Sequence, residues 1–73
     1  MKNYESGRFN VANADGVPIG RIDGDEFIRD HQARHLYRID GDEVYDMNGK
    51  FIGSIDEGVL RVGNKIFLMI TEE

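Results

Sequence analysis

Arg29 and Arg61 are the side chains best suited to chemistry in this chain, because they recur at equivalent positions of a sequence that repeats itself. Arginine forks bind phosphate or carboxylate through two parallel hydrogen bonds. If the repeats form a fourfold ring, the second and fourth units face each other. Arg29 and Arg61 then approach across the axis, with Asn13 and Asp46 completing the layer. Two Arg, one Asp and one Asn would suit a small anionic or nucleotide-like ligand. The plainer reading is that these arginines, with the equivalent pair Arg21 and Arg38, are surface charge, which is the default for this residue and is preferred here.

The other reactive residue types point to less. His31 and His35 lie beside Asp30, but four residues apart on one loop they are not held to a common face. Zinc needs three or four fixed ligands, so no metal site is assigned. The runs 22–26 and 39–43, each Ile-Asp-Gly-Asp-Glu, carry the hard oxygen ligands calcium prefers. They lack the alternation over about twelve residues that an EF-hand loop needs, and Asp-Gly is ordinary turn chemistry. Cysteine is absent, no Ser-His-Asp spacing stands out, and no glycine-rich phosphate loop opens a helix. No catalytic residue or cofactor is assigned, and a non-enzymatic protein is expected.

What must position these residues is the repeat itself. After a segment 1–10 that forms an extension or a closing strand, four units follow at 11–26, 27–43, 44–58 and 59–73. Each opens on an apolar pair, turns, resumes with an apolar stretch and closes on Ile followed by Asp or Thr. The opening column is Val11, Phe27, Val44 and Val59, and the closing column is Ile22, Ile39, Ile55 and Ile70. Three residues before each closing Ile stand Ile19, Leu36, Ile52 and Phe67.

Each unit reads as a β-hairpin. Asn48-Gly49 has the two residues that tolerate the positive φ of a type I′ turn, and Asp15-Gly16 is a similar signal. Gly63-Asn64 fits a type I′ or II′ turn, while the second tip, around Gln32-Ala33, is expected to be a wider loop. Helix is a poor alternative, since nine glycines are spread along the chain and interrupt any helical apolar period. The odd spacing of the last two columns would put them on opposite faces of a regular strand. A bulge beside Gly20 and Gly53 restores one face. Otherwise both faces are covered, as in a stacked dimer, and this second account is slightly favoured.

No single hairpin buries its own apolar face, so four of them should pack around a common centre and close. The expected fold is all-β: four tandem hairpins about a pseudo-fourfold axis, a small closed ring or barrel-like flower. The pattern of residues 44–58, apolar-Tyr-Asp-x-Asn-Gly-Lys-x-Ile-Gly-x-Ile-Asp, resembles the four-fold beta-flower family of small bacterial proteins. The likeness covers about residues 9–73, is good in 11–23 and is weaker in the second unit, which lacks the glycine pair. It implies a fourfold arrangement of hairpins and brings no established activity or site residues.

A chain of 73 residues makes one domain, and at this size only roughly 60% of the unfolded surface is buried, so the monomer is marginal. A homo-oligomer is therefore expected. The run 66–70 is five apolar residues long, which suggests that both its faces are covered. Ile66, Phe67, Leu68 and Met69, with Tyr37, are the candidate interface. Fourteen acids against nine bases give a net charge of −5, which disfavours duplex nucleic acid. Ten of the acids fall in the connections that follow the units, whereas Arg34, Lys50 and Lys65 stand at the tips. The first residues have no apolar core of a signal peptide, and no run approaches the ~20 apolar residues of a membrane span. A cytoplasmic protein is expected. Its role is that of a protein-interaction or self-assembling scaffold module. The alternative is a binder that sequesters a small anionic ligand, the sort of protein a phage or mobile element would carry.

Overall fold

A computed structural model describes residues 4–73. They form four consecutive hairpins: β1 (Arg8–Asn13) with β2 (Pro18–Asp23), β3 (Phe27–Arg29) with β4 (His35–Asp40), β5 (Glu43–Asp46) with β6 (Phe51–Asp56), and β7 (Val59–Val62) with β8 (Lys65–Glu72). Each strand pairs antiparallel with its neighbours in sequence, and β8 pairs with β1. The sheet is thus a closed eight-stranded barrel with no free edge, the all-β ring of hairpins that the repeat predicts.

The core is built at the junctions between hairpins. Ile22 pairs with Ile28, Ile39 with Val44, Ile55 with Leu60, and Ile70 with Val11. All eight side chains are buried, each contributing roughly 1.5–3 kcal/mol of transfer free energy. The closing column is therefore as expected, but the opening column is not. Its buried members in the second and fourth units are Ile28 and Leu60, one residue beyond Phe27 and Val59. The slip has two causes. Three residues join β2 to β3 where two join β4 to β5 and β6 to β7, and the fourth hairpin turns through two residues where the others use more. The extra residue of the second unit thus lies in the connection before β3, not in a wider tip.

Each hairpin is interrupted once, and the unpaired residues are Ile19, Leu36, Ile52 and Phe67. The column with odd spacing is a column of bulges. Ile19 and Ile52 pack against the core, so the spacing does not require a second covered face. Beside the bulges stand Gly20, Tyr37, Gly53 and Leu68, small and large in alternation, which suits the taper of a narrow barrel. A Cβ on Gly20 would lie 1.8 Å from the carbonyl oxygen of Arg29, and one on Gly53 2.4 Å from that of Arg61. Tyr37 and Phe67 come from β4 and β8, opposite walls of the ring, and their rings meet edge-on at 5.9 Å across the tip end.

The two ends differ. At the base, Tyr4 of a 3-10 turn (Tyr4–Ser6) is buried against Phe9, with ring centroids 5.2 Å apart. The Glu5 carboxylate accepts a hydrogen bond from Gly41 N–H at 2.7 Å. Of the segment 1–10, residues 1–3 lie outside the described residues, and 8–10 belong to β1, which closes the barrel against β8. At the tips, the first three hairpins turn through three-residue loops, 14–16, 31–33 and 47–49. Each is a tight turn followed by one residue at positive φ: Gly16, Ala33 and Gly49. Asn48 does not share the positive φ, so the turn there is not type I′. Gly63-Asn64 is the two-residue loop expected, with Gly63 alone at positive φ.

Two substitutions should move stability in opposite directions. Ala33→Gly relieves a left-handed alanine (φ 65°) and should stabilise by about 0.5–1 kcal/mol in urea unfolding. Gly20→Ala drives a methyl group into the next strand's backbone and should cost more than about 3 kcal/mol, enough to unfold so small a domain. Equal midpoints for Gly20→Ala and the parent would contradict this register.

Candidate interaction surface

The layer of Asn13, Arg29, Asp46 and Arg61 does not assemble. Counted from the core pairs, Arg29 and Arg61 share a position with Ala12 and Tyr45, whereas Asn13 and Asp46 stand one residue further on, with Asp30. Asn13, Asp30 and Asp46 hold the tip loops. The Oδ1 of each accepts two backbone N–H groups, from Asp15 and Val17, Gln32 and Arg34, and Asn48 and Lys50, at 2.8–3.0 Å. These are Asx turns, which satisfy loop donors that no strand can reach. The loops also explain why Asn-Gly here does not make a two-residue turn.

Arg29 is taken by Asp25. Its Nη1 donates to one carboxylate oxygen at 2.9 Å and its Nη2 to the other. The Arg29 hydrogen bond holds the Asp25 carboxyl below its ordinary pKa, and the same pairing raises that of Arg29. Arg38 reaches Glu26 at 2.9 Å, Arg34 reaches Asp30 at 3.0 Å, and Arg8 reaches Asp23 at 3.2 Å. Arg61 is exposed and, among the described residues, makes no salt bridge. The histidines are used apart: His35 stacks on Phe27, centroids 4.0 Å apart, and His31 Nε2 lies 3.2 Å from the Pro18 carbonyl. No group of three or more His, Asp or Glu side chains able to hold a metal occurs among the described residues.

The tip end has a different character. Every large hydrophobic residue described as exposed (Val17, Met47, Phe51, Val62, Ile66 and Phe67) stands in the tip half of the first, third or fourth hairpin. Ile66 and Phe67, from the predicted interface, belong to this surface. Tyr37 is half-buried beneath Phe67, and Met69 is half-buried on the outer wall. Leu68 is a correction: it is 2% exposed and lies in the core, so no partner reaches it. The barrel covers one face of the apolar run 66–70, that of Leu68 and Ile70, whereas Ile66 and Phe67 are exposed and Met69 is half-buried.

Val17, Met47, Phe51 and Val62 were not singled out in the sequence, yet a signal was there. Val17 stands where the other units carry Arg34, Lys50 and Lys65. The charge of this end is close to balance, with Arg34, Lys50, Arg61 and Lys65 against Asp15, Asp30 and Asp46. The base collects the connections, and so the ten acids that follow the units. Comparison with protein-family models, curated proteins and solved structures finds no match to this chain. No helix among the described residues is long and apolar enough to cross a membrane.

The loop carboxylates set a pH dependence. Asp30 is held below the ordinary aspartate value of 3.8, first by the Arg34 N–H, then by the Gln32 N–H and the Arg34 side chain. A depressed folded pKa adds stability above 3.8 that is lost as pH falls through the folded value. Asp30→Asn copies Asn13 and keeps the acceptor while removing the titration. The variant should fold at neutral pH and lose less stability than the parent between about pH 4 and about pH 2, measured by urea midpoints. The same loss in both proteins would show that Asp30 does not carry this dependence.

Proposed function

We propose that this chain is a non-enzymatic interaction module that pairs with a second copy of itself through the tip end. The observation that carries the reading is the segregation of the surface. All six exposed large apolar side chains among the described residues stand in the tip half, and ten of the fourteen acids belong to connections at the other end. Two bases brought together would set twenty carboxylates near each other, at about ten per copy, so like-charge repulsion disfavours that arrangement. Two tips would meet with little net charge and cover Phe51, Ile66 and Phe67, the kind of aromatic and aliphatic anchors that dominate interfaces. A dimer would also supply buried area that a domain of this size lacks.

The ring of four hairpins supports kinship with the beta-flower family, and the absence of cysteine fits a cytoplasmic setting. An anion site on the layer of Asn13, Arg29, Asp46 and Arg61 is less favoured, because Arg29 is already neutralised by Asp25.

Sedimentation equilibrium tests the pairing. The parent should form a dimer by about 100 µM. The double variant Phe51→Ser, Ile66→Ser, at positions 51% and 41% exposed, should weaken it by about tenfold or more. A parent that stays monomeric at that concentration would assign the tip to a different partner and sink self-pairing. A dimer indifferent to both substitutions would place the interface elsewhere.

A further inference from the structure

On the second and third hairpins the outer wall of the barrel is filled. Phe27 stacks on His35, Arg29 is held by Asp25, Tyr45 meets Phe51 edge-on at 5.6 Å, and Arg38 lies 5.7 Å over the Tyr45 ring. Over β8, β1 and β2 the wall is hollow instead, with a groove of about 620 Å³. That volume lies within the range of small-molecule sites, roughly 300–1,000 Å³. The cause is a departure from the repeat. Ala12 stands where the sister units carry Arg29, Tyr45 and Arg61, so the outward position that they fill is left with a single methyl group.

The strand register orders the lining into two rows. Pro18, Ala12 and Met69 are cross-strand neighbours and form an apolar row toward the tip. Arg21, Asn10 and Thr71 are likewise neighbours and form a polar row toward the base. His31, whose Nε2 lies 3.2 Å from the Pro18 carbonyl, closes one side. No carboxylate lines the groove, although the chain carries fourteen acids and a net charge of −5.

A second departure produces that absence. The first three units close on Ile-Asp, at Asp23, Asp40 and Asp56, but the fourth closes on Ile70-Thr71. The acid that the repeat would set beside Asn10 is therefore a hydroxyl. Arg21 makes no salt bridge among the described residues, whereas Arg8, Arg29, Arg34 and Arg38 each hold an acid. Asp23, close to Arg21 along β2, is engaged by Arg8, and Arg29, the neighbour of Arg21 on β3, is engaged by Asp25. A guanidinium without a counter-ion, flanked by an amide and a hydroxyl, is a receptor for a carboxylate.

We propose that this groove binds a small organic carboxylate, with its headgroup on Arg21, Asn10 and Thr71 and its apolar body on Ala12, Pro18 and Met69. The test is a titration of the isotope-labelled protein, followed by amide chemical shifts, with benzoate, benzamide and benzylammonium. Benzoate should shift Asn10, Ala12, Arg21, Met69 and Thr71 saturably, and benzylammonium should not. Arg21→Gln should weaken benzoate by about tenfold or more. Ala12→Arg, the residue type of Arg29 and Arg61, should fill the groove and abolish binding with the remaining spectrum unchanged. Equal shifts from all three compounds would overturn the proposal. So would benzoate binding undiminished in Arg21→Gln, or shifts confined to the tip end.

Discussion

The pairing of β8 with β1, which sets Ile70 against Val11, is the contact on which the rest of the barrel depends. Every closing Ile is set against a buried residue on the first strand of the next hairpin. No unit therefore owns a complete core, and the last junction is what makes the other three consistent. Open repeat arrays tolerate the gain or loss of a unit because each contacts only its neighbours. A closed ring does not, since barrel diameter is tied to strand number. Eight strands enclose just enough room for a layer of eight branched aliphatic side chains, and the count of four hairpins follows from that filling.

Closure also explains why the units cannot be identical. Four large side chains beside the bulges would overfill the axis, and four glycines would leave a void. Gly20 and Gly53 alternate with Tyr37 and Leu68, and the two glycines are further pinned by the backbone that crowds them. Tyr37 and Phe67 then meet from opposite walls and form the floor of the tip end. The base is sealed differently, by Tyr4 on Phe9, under connections rich in acid. One closed and acidic end and one open and apolar end are thus consequences of how a single narrow barrel is filled.

Much of this architecture was legible in the repeat: the closed all-β ring and the closing column of isoleucines, whereas the bulges were the less favoured of two accounts of the odd spacing. What escaped was register. A linear alignment assumes equal loops, and one extra residue in the connection before β3 with one fewer in the last tip moved Phe27 and Val59 into columns that belong to Ile28 and Leu60. The same slip grouped Asn13 and Asp46 with Arg29 and Arg61. Side-chain bonds to backbone were equally hidden, because an Asp that caps a loop and an Asp that faces solvent look alike in a sequence. The reach of Asp25 to Arg29 is of that kind. The groove was harder still, since small residues make it and it exists only where three strands lie side by side.

In a ring of repeats every unit has the same structural duty, so a position where one unit differs on the outside is released from that duty. Inside the barrel, differences are compensated: a glycine on one wall answers a tyrosine or leucine on the next. Outside, Ala12 for Arg or Tyr, Thr71 for Asp and Val17 for Arg or Lys have no such counterpart in the packing. Ala12 and Thr71 fall on adjacent strands and open one groove; Val17 joins the apolar end. Were these departures idle, they would scatter over four equivalent faces. Ala12 and Thr71 instead converge on the seam where the ring closes, the one junction made by the two ends of the chain's β-structure and so the one least constrained by short connections.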